Sequence, residues 1–156
     1  DESLSPDGVP EEGVPVTLES AYQLTRALLG DEPQSRLLIG FHGLFARRLG
    51  ADAVHSVAAL EAGLMVVQNF PPFRLELIRC LRELDEVSVA LEAVEALLEE
   101  LPKWGEARQE QILLELDQGA TGRAEGLFKS YAETLHPKLR ARCEAALEQA
   151  TTEAFH

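Results

Sequence analysis

The amino-acid sequence predicts an all-α protein of about eight helices, arranged as four stacked antiparallel pairs. Three observations favour this fold class. Leu, Ala, Glu and Arg, which are strong helix formers, dominate the chain from Thr17 onward. The alternation of β-branched or aromatic residues with polar ones that is typical of strands is absent. Gly, Pro and Asp residues divide the chain into eight apolar-periodic segments of helical length.

The boundaries of these segments carry residues that begin or end helices. Thr17 and Asp52 are predicted N-caps, and Pro33 is predicted in the first turn of the second helix. Gly30 and Gly50 follow the first and second helices, where glycine favours termination. In order, the predicted helices span residues 18–29, 33–49, 52–68, 73–84, 87–101, 105–117, 122–135 and 137–155.

Residues 1–16 differ from the rest of the chain, with five acids, three prolines and no base. We expect a flexible acidic segment there and one helical domain over residues 17–156. The segment lacks the basic start and apolar core of a secretory signal. The longest apolar stretch, residues 53–67, is interrupted by polar residues and is too short to span a bilayer. These features predict a soluble, cytoplasmic protein without a membrane partner.

The odd-numbered segments begin at regular intervals, near Thr17, Asp52, Glu86 and Thr121. The intervals of 35, 34 and 35 residues are typical of an αα-repeat superhelix, in which helix pairs stack on a shared core. Any chain of short helices joined by tight loops has similar intervals, so a multi-helix bundle remains the alternative.

Residues within the segments add to this interpretation. Residues 85–101 resemble the first helix of a HEAT repeat, with Val89 followed by Ala93, Ala96 and Leu97 at helical offsets. Segments 75–85 and 111–117 are similar to the second helix, which closes on Leu-Asp. Ala90 stands where the HEAT pattern has Arg, and the unit length is closer to that of TPR repeats. The resemblance is to helical-repeat proteins in general over residues 17–155, and it implies a right-handed stack of helix pairs that binds other proteins.

Residues 73–101 allow a second interpretation. Apolar residues follow one another in alternating steps of four and three, which is a heptad seam. Taken alone, the seam predicts one long helix in a bundle or a coiled-coil dimer. Asp85 and Ser88 offer capping side chains in the middle of the run, so we favour a break near Asp85. The seam comprises Phe73, Leu77, Cys80, Leu84, Val87, Leu91, Val94, Leu98 and Leu101.

The core is predicted to centre on the second and third helices. The third helix is apolar around nearly all of its circumference, which predicts neighbours on several sides. Gly40, Gly43 and Gly63 lie inside these helices, where close approach of two backbones would explain them. Leu64 and Leu97 lie on apolar stripes and are predicted core positions.

No motif in the sequence indicates catalysis, a metal site or a cofactor. His42, His55, His136 and His156 show no metal-ligand spacing, and nucleotide-binding and nucleophile motifs are absent. Cys80 and Cys143 are predicted to be buried apolar side chains. The net charge of −13 and the few arginine clusters disfavour nucleic-acid binding. We therefore predict a protein that is not an enzyme and holds no cofactor.

Acidic residues are concentrated between Glu83 and Asp117, where eleven acids face two bases. Spacing places Glu92, Glu95 and Glu99 on one helical face. A solvated face that maintains solubility is the simpler interpretation, and a docking surface for a basic partner segment is the functional one. A di-metal carboxylate site would need Glu-x-x-His pairs, which do not occur. The candidate partner-binding residues are Glu92, Glu95, Glu99, Glu106, Glu110 and Trp104.

Together these features predict a non-enzymatic protein–protein interaction domain. An adapter, scaffold, assembly factor or chaperone-like protein would hold a partner peptide or helix in a groove or on the acidic face. The alternative is a small regulatory or ligand-binding domain that acts as a homodimer through the 73–101 seam. The sequence leaves the choice between monomer and homodimer open.

Overall fold

The computed structural model describes residues 17–154, and every regular element within that range is helical. The predicted flexible segment at 1–16 lies outside the described residues. The fold class is confirmed. The helices are α1 (Leu18–Asp31), α2 (Arg36–Arg48), α3 (Ala53–Leu64), α4 (Pro71–Glu83), α5 (Val87–Glu100), α6 (Gly105–Asp117), α7 (Thr121–Tyr131) and α8 (Pro137–Ala154), with a 3₁₀ turn at Ala132–Thr134.

Neighbouring helices pack against each other in sequence order from α1 to α8. In addition, α2 packs on α4, α4 on α6 and α6 on α8. The even-numbered helices therefore form a continuous inner row, and the odd-numbered helices lie to its outside. Such an arrangement follows from short connections, which place each helix beside the next one in the chain.

The first three helices of the inner row end in the same way. Each is followed by a residue with positive φ: Gly50 at 109°, Asp85 at 64° and Gly119 at 85°. In each case the residue after the positive-φ residue donates its amide to the carbonyl oxygen five residues before itself, at 2.8–2.9 Å. This hydrogen bond is typical of the Schellman motif. These ends lie 35 and 34 residues apart, so the predicted interval corresponds to recurring local geometry.

The turn at Asp85 decides between the two interpretations of residues 73–101. α4 ends at Glu83 and α5 begins at Val87, so the continuous helix is wrong and the break near Asp85 is confirmed. Phe73, Cys80 and Val94 of the heptad seam are fully buried in the core of this chain. The middle of the seam therefore packs within the chain, whereas Leu84 and Leu101 are each 37% exposed. A homodimer through residues 73–101 stays a prediction.

Several predicted boundaries are shifted in the structure. Pro33 lies in the turn before α2, because Ser35 is the N-cap and its hydroxyl accepts from the amide of Leu38 at 3.2 Å. α3 ends at Leu64 rather than at Gln68. The predicted N-cap at Asp52 is confirmed, since its carboxylate accepts from the amide of His55 at 2.9 Å.

Among residues 17–154, three apolar clusters form the core, one around α2–α4, one around α4–α6 and one around α6–α8. Leu97 is fully buried in the middle cluster, as predicted, whereas Leu64 is half-buried at the edge of the first. α3 has the predicted neighbours on more than one side, α2 and α4, but its outer face is open to solvent at Val54 and Glu61.

The glycines of α2 and α3 allow the closest helix contact in the first cluster. A Cβ atom on Gly40 would lie 2.7 Å from the Cα of Gly63, and one on Gly63 would collide with the ring of Phe73. A Cβ on Gly43 would overlap the side chain of Ala59. The predicted close backbone approach is confirmed.

Candidate functional site

A groove of about 740 Å³ runs across the inner row of helices. Its walls come from the end of α2, the solvent-facing side of α4 and α6, and one residue of α8. Charged side chains dominate the lining, with five arginines and four glutamates, so this groove carries one excess positive charge in a chain of net charge −13. The lining residues are Arg47, Arg48, Gly50, Glu76, Arg79, Arg82, Glu83, Glu106, Gln109, Glu110, Leu113 and Arg142.

Two buried carboxylates lie at the base of the groove. Glu76 is 4% exposed and accepts from Arg48 Nε at 3.1 Å and from Arg79 Nη1 at 3.4 Å. Glu110 is 2% exposed and accepts from Arg79 Nε at 3.2 Å and from Arg82 Nε at 3.1 Å. These five residues form what we call the ion-pair ladder, which links α2, α4 and α6.

The ladder offsets the cost of burying its carboxylates. A buried charge without a partner is strongly destabilising, and removing one member of a buried pair typically costs about 3–5 kcal/mol. Each buried glutamate has two guanidinium partners, so the two negative charges are compensated within the groove floor. The ladder also restricts the arginine rotamers, because Arg79 is held by Glu76 and Glu110 together.

Charged pairs continue along the rim. Arg47 donates to Glu83 and, at 2.7 Å, to the carbonyl oxygen of Ala51. Burial disfavours its charged form, but the hydrogen bond to Glu83 and the nearby carboxylates outweigh this, and the pKa of Arg47 is raised. Asp117, which lies outside the groove lining, is 3.8 Å from Arg82, and its pKa is raised, mainly because burial penalises the carboxylate.

Three groups lining the groove retain hydrogen-bonding capacity. Arg142 is exposed and makes no ion pair or side-chain hydrogen bond within the described chain. Arg48 uses only its Nε, so its two Nη groups make no bond among residues 17–154. Gln109 is 3% exposed, and its Oε1 has no partner in the described structure. Leaving a buried acceptor unpaired costs about 1–3 kcal/mol.

The structure divides the predicted acidic surface. Glu92, Glu95 and Glu99 are exposed on α5, and Glu95 lies 3.7 Å from Arg123. Glu106 instead lines the groove and lies 3.9 Å from Arg79. The prediction of one acidic surface is wrong for Glu110, because that carboxylate is buried in the ladder. Partner binding by the exposed glutamates stays a prediction.

Trp104 is the N-cap residue of α6 and packs, half-buried, against the middle apolar cluster. It therefore covers a core layer in the described structure. Nearby, Arg108 is buried, and its guanidinium lies over the ring of Tyr131, 3.6 Å from the centroid. Burial lowers the pKa of Arg108. Both side chains stabilise the α5–α6–α7 packing.

His42 and the two cysteines have structural surroundings. His42 stacks on Tyr22 and hydrogen-bonds Thr25 at 2.9 Å, and burial lowers its pKa. Burial raises the pKa of the Cys80 thiol and of the Cys143 thiol to about 11. Protonated, buried thiols are poor nucleophiles.

Sequence reasoning missed the groove because it considered the arginine clusters one at a time. Arg47 and Arg48 close α2, and Arg79 and Arg82 lie on α4, so only helix packing brings them together. A signal was available: Glu76, Arg79 and Arg82 follow steps of three and mark a charged stripe along one side of α4. That stripe is where α4 faces the groove.

Comparisons of the chain with protein-family models, with curated proteins and with solved structures give no significant match. No helix between residues 17 and 154 is both long and apolar enough to cross a membrane. The same residues contain no group of three or more His, Cys, Asp and Glu side chains placed to hold a metal ion.

Proposed function

We propose that this protein is a protein-interaction domain whose groove holds a segment of a partner protein. The observation that carries the proposal is the groove across the inner row, lined by charged side chains of which Arg48 and Arg142 keep unused hydrogen-bond donors within the described residues. A concave site contacts a bound segment from several sides, and this favours binding over a flat helical face.

The ion-pair ladder supports the proposal through preorganisation. Arg79 and Arg82 are held by Glu110 before any partner arrives, so less side-chain entropy is lost on binding. The groove is built on helices rather than on loops, which keeps its donors in fixed positions. Both properties favour recognition by a ready-made surface.

The proposal includes a non-enzymatic role, as an adapter, scaffold, assembly factor or chaperone-like protein in the cytoplasm. The structural roles of His42, Cys80 and Cys143 support the non-enzymatic part. Both cysteines are free rather than joined in a disulfide, which agrees with a reducing compartment.

The exposed face of α5 is a second candidate surface. Glu92 and Glu99 are exposed and make no ion pair within the described residues. Their charges favour a basic partner segment, since electrostatic complementarity speeds encounter and selects partners. The two surfaces make different predictions about which positions a partner contacts.

Site-specific photo-crosslinking distinguishes the two surfaces. A photoreactive phenylalanine analogue replaces Glu106 in the groove, Glu92 on α5, or Glu125, an exposed glutamate of α7 outside both surfaces. The three variants lose the same charge, so they are matched. Each is irradiated in lysate of the source cells, and adducts are identified by mass spectrometry.

We expect one protein to be crosslinked at position 106 and to be absent from the adducts at positions 92 and 125. The adduct should disappear when excess unmodified protein competes. An adduct at position 92 alone would show that the partner binds the α5 surface and not the groove. Equal adducts at all three positions would contradict a specific partner site.

A further inference from the structure

We propose that the groove selects an acidic peptide segment, one that presents Asp or Glu side chains together with main-chain amides. This inference rests on the proposed function and specifies the chemistry of the partner. It differs from the expectation of a basic partner, which the sequence suggested and which applies to the α5 surface. Three features of the groove lead to it.

The first feature is the surplus of guanidinium donors. Each arginine offers five N–H groups in a planar fork that matches a carboxylate. Glu76 and Glu110 use the Nε groups of Arg48, Arg79 and Arg82 and the Nη1 group of Arg79. Within the described residues, both Nη groups of Arg48 and the whole guanidinium of Arg142 remain available. A bound carboxylate accepts from such donors, whereas a lysine or arginine of a partner brings only further donors.

The second feature is the position of the uncompensated charge. The two glutamates at the base of the groove are buried and held by two arginines each, so they attract a basic segment weakly. Of the two exposed glutamates, Glu83 pairs with Arg47 and Glu106 lies near Arg79. Arg142 is exposed without an ion pair in the described chain, so the free charge in the groove is positive.

The third feature is the unpartnered acceptor of Gln109. Its Nε2 donates to Glu110 at 3.3 Å, but Oε1 is buried at the groove wall without a donor in the described structure. A main-chain amide of a bound segment supplies that donor once the Gln109 side chain rotates toward the groove that it lines. An ionised phosphate or free carboxylate is an acceptor only and leaves Oε1 unpaired. The pairing of many donors with one acceptor therefore fits a peptide better than a simple anion.

Fluorescence anisotropy with synthetic peptides tests the inference on the full chain. The probe is a fluorescein-labelled twelve-residue peptide in which Glu alternates with Ala. Peptides with Gln or Lys in place of Glu are matched in length and differ in charge. Inorganic phosphate at about 10 mM is added as a competitor, with NaCl lowered to keep the ionic strength constant.

Three variants locate the binding. Arg142→Glu reverses the unpaired groove charge, and Arg36→Glu makes the same change at an exposed position outside the groove. Gln109→Leu keeps side-chain volume and removes both the unpartnered acceptor and the 3.3 Å hydrogen bond to Glu110, two effects of opposite sign on stability, so the unfolding midpoint should change little while peptide binding weakens. Weaker binding at an unchanged midpoint separates a binding role from a merely structural one.

We expect the Glu peptide to bind at least about tenfold more tightly than the Gln and Lys peptides, and its affinity to fall as NaCl rises from about 0.05 to 0.2 M. Arg142→Glu should weaken binding about tenfold and Arg36→Glu less than about twofold. Equal binding of the Gln peptide, tighter binding of the Lys peptide, displacement by phosphate, or unchanged binding by Arg142→Glu would overturn the inference. If the groove crosslinks a partner but fails these tests, the proposed function stands and the acidic chemistry is wrong.

Discussion

Asp85 occupies a backbone conformation that glycine occupies at the two equivalent positions of the inner row. Its φ of 64° lies in the left-handed region, which costs a residue with a side chain up to about 1–2 kcal/mol. We expect Asp85→Gly to raise the free energy of unfolding by up to about 1 kcal/mol, measured by urea denaturation. Asp85→Ala is the matched control and should lower it, since Ala tolerates this conformation less well than Asp. Stabilisation by Ala would show that the backbone is not the cause.

Part of the gain from Asp85→Gly should depend on pH. Burial raises the pKa of Asp117, and repulsion from Asp85 contributes to the rise. The charged form of Asp117 is thus disfavoured in the folded state, so removing the charge at residue 85 helps most near neutral pH. This part of the gain should vanish as the pH falls through the raised folded pKa, where Asp117 becomes protonated.

Leu97 tests the core at the scale of one side chain. It is fully buried, whereas Leu101, one turn further along the chain, is 37% exposed. We expect Leu97→Ala to lower the free energy of unfolding by about 2–5 kcal/mol. Leu101→Ala should cost much less because solvent already surrounds part of its side chain. Equal losses in the two variants would contradict the packing described for α5.

At the scale of helices, α2 and α3 depend on the absence of side chains at their crossing. A Cβ on Gly40 would meet the backbone of Gly63, so Gly40→Ala should force the helices apart and destabilise the protein. Gly126 lies inside α7 with open space around it, and Gly126→Ala should stabilise by about 0.5–1 kcal/mol through helix propensity.

Circular dichroism during thermal unfolding gives the midpoints of both variants. A lower midpoint for Gly40→Ala with a higher one for Gly126→Ala is the expected pattern. If Gly40→Ala also stabilises, the close approach of α2 and α3 is incorrect.

The sequence predicted the helices well because their signals are local. The N-caps at Thr17 and Asp52 and the break near Asp85 depend on side chains within a few residues. The end of α3 was misplaced because apolar residues such as Met65 and Val66 continue the pattern beyond the helix, although both are exposed. Pro33 was misplaced because Ser35, two residues later, caps the helix instead.

At the scale of the whole molecule, the helices differ in how many sides are covered. α4 packs against α2, α3, α5 and α6, whereas α8 packs against α6 and α7. In an array of nearest-neighbour contacts, an end element opens more readily than a central one. Cys80 of α4 and Cys143 of α8 are both fully buried and can report these openings.

Thiol labelling in mild urea measures the difference. In single-cysteine variants made by Cys→Ala, Cys143 should react with a disulfide reagent faster than Cys80. Because both thiols are fully buried, each reacts only after opening exposes it with ordinary thiol reactivity, so the rates reflect opening. Equal rates at all urea concentrations would indicate one cooperative unit.

Only part of the candidate site could be predicted from the sequence. Exposure of Glu92, Glu95 and Glu99 follows from helical periodicity, which is local. The burial of Glu110 does not, because it depends on Arg79 and Arg82 reaching across from another helix. From the sequence alone, Glu110 is predicted to be solvent-exposed like its acidic neighbours. Its burial follows only from the packing of α4 against α6.

The affinity of the crosslinked partner for two charge-reversal variants tests the central claim most directly. Arg142→Glu alters the groove, and the double variant Glu95→Lys/Glu99→Lys alters the α5 surface, while thermal unfolding confirms that both remain folded. If the groove holds the partner, Arg142→Glu weakens binding about tenfold and the double variant changes it less than about twofold. Loss of binding in the double variant with unchanged affinity for Arg142→Glu would contradict the claim and assign the partner to α5.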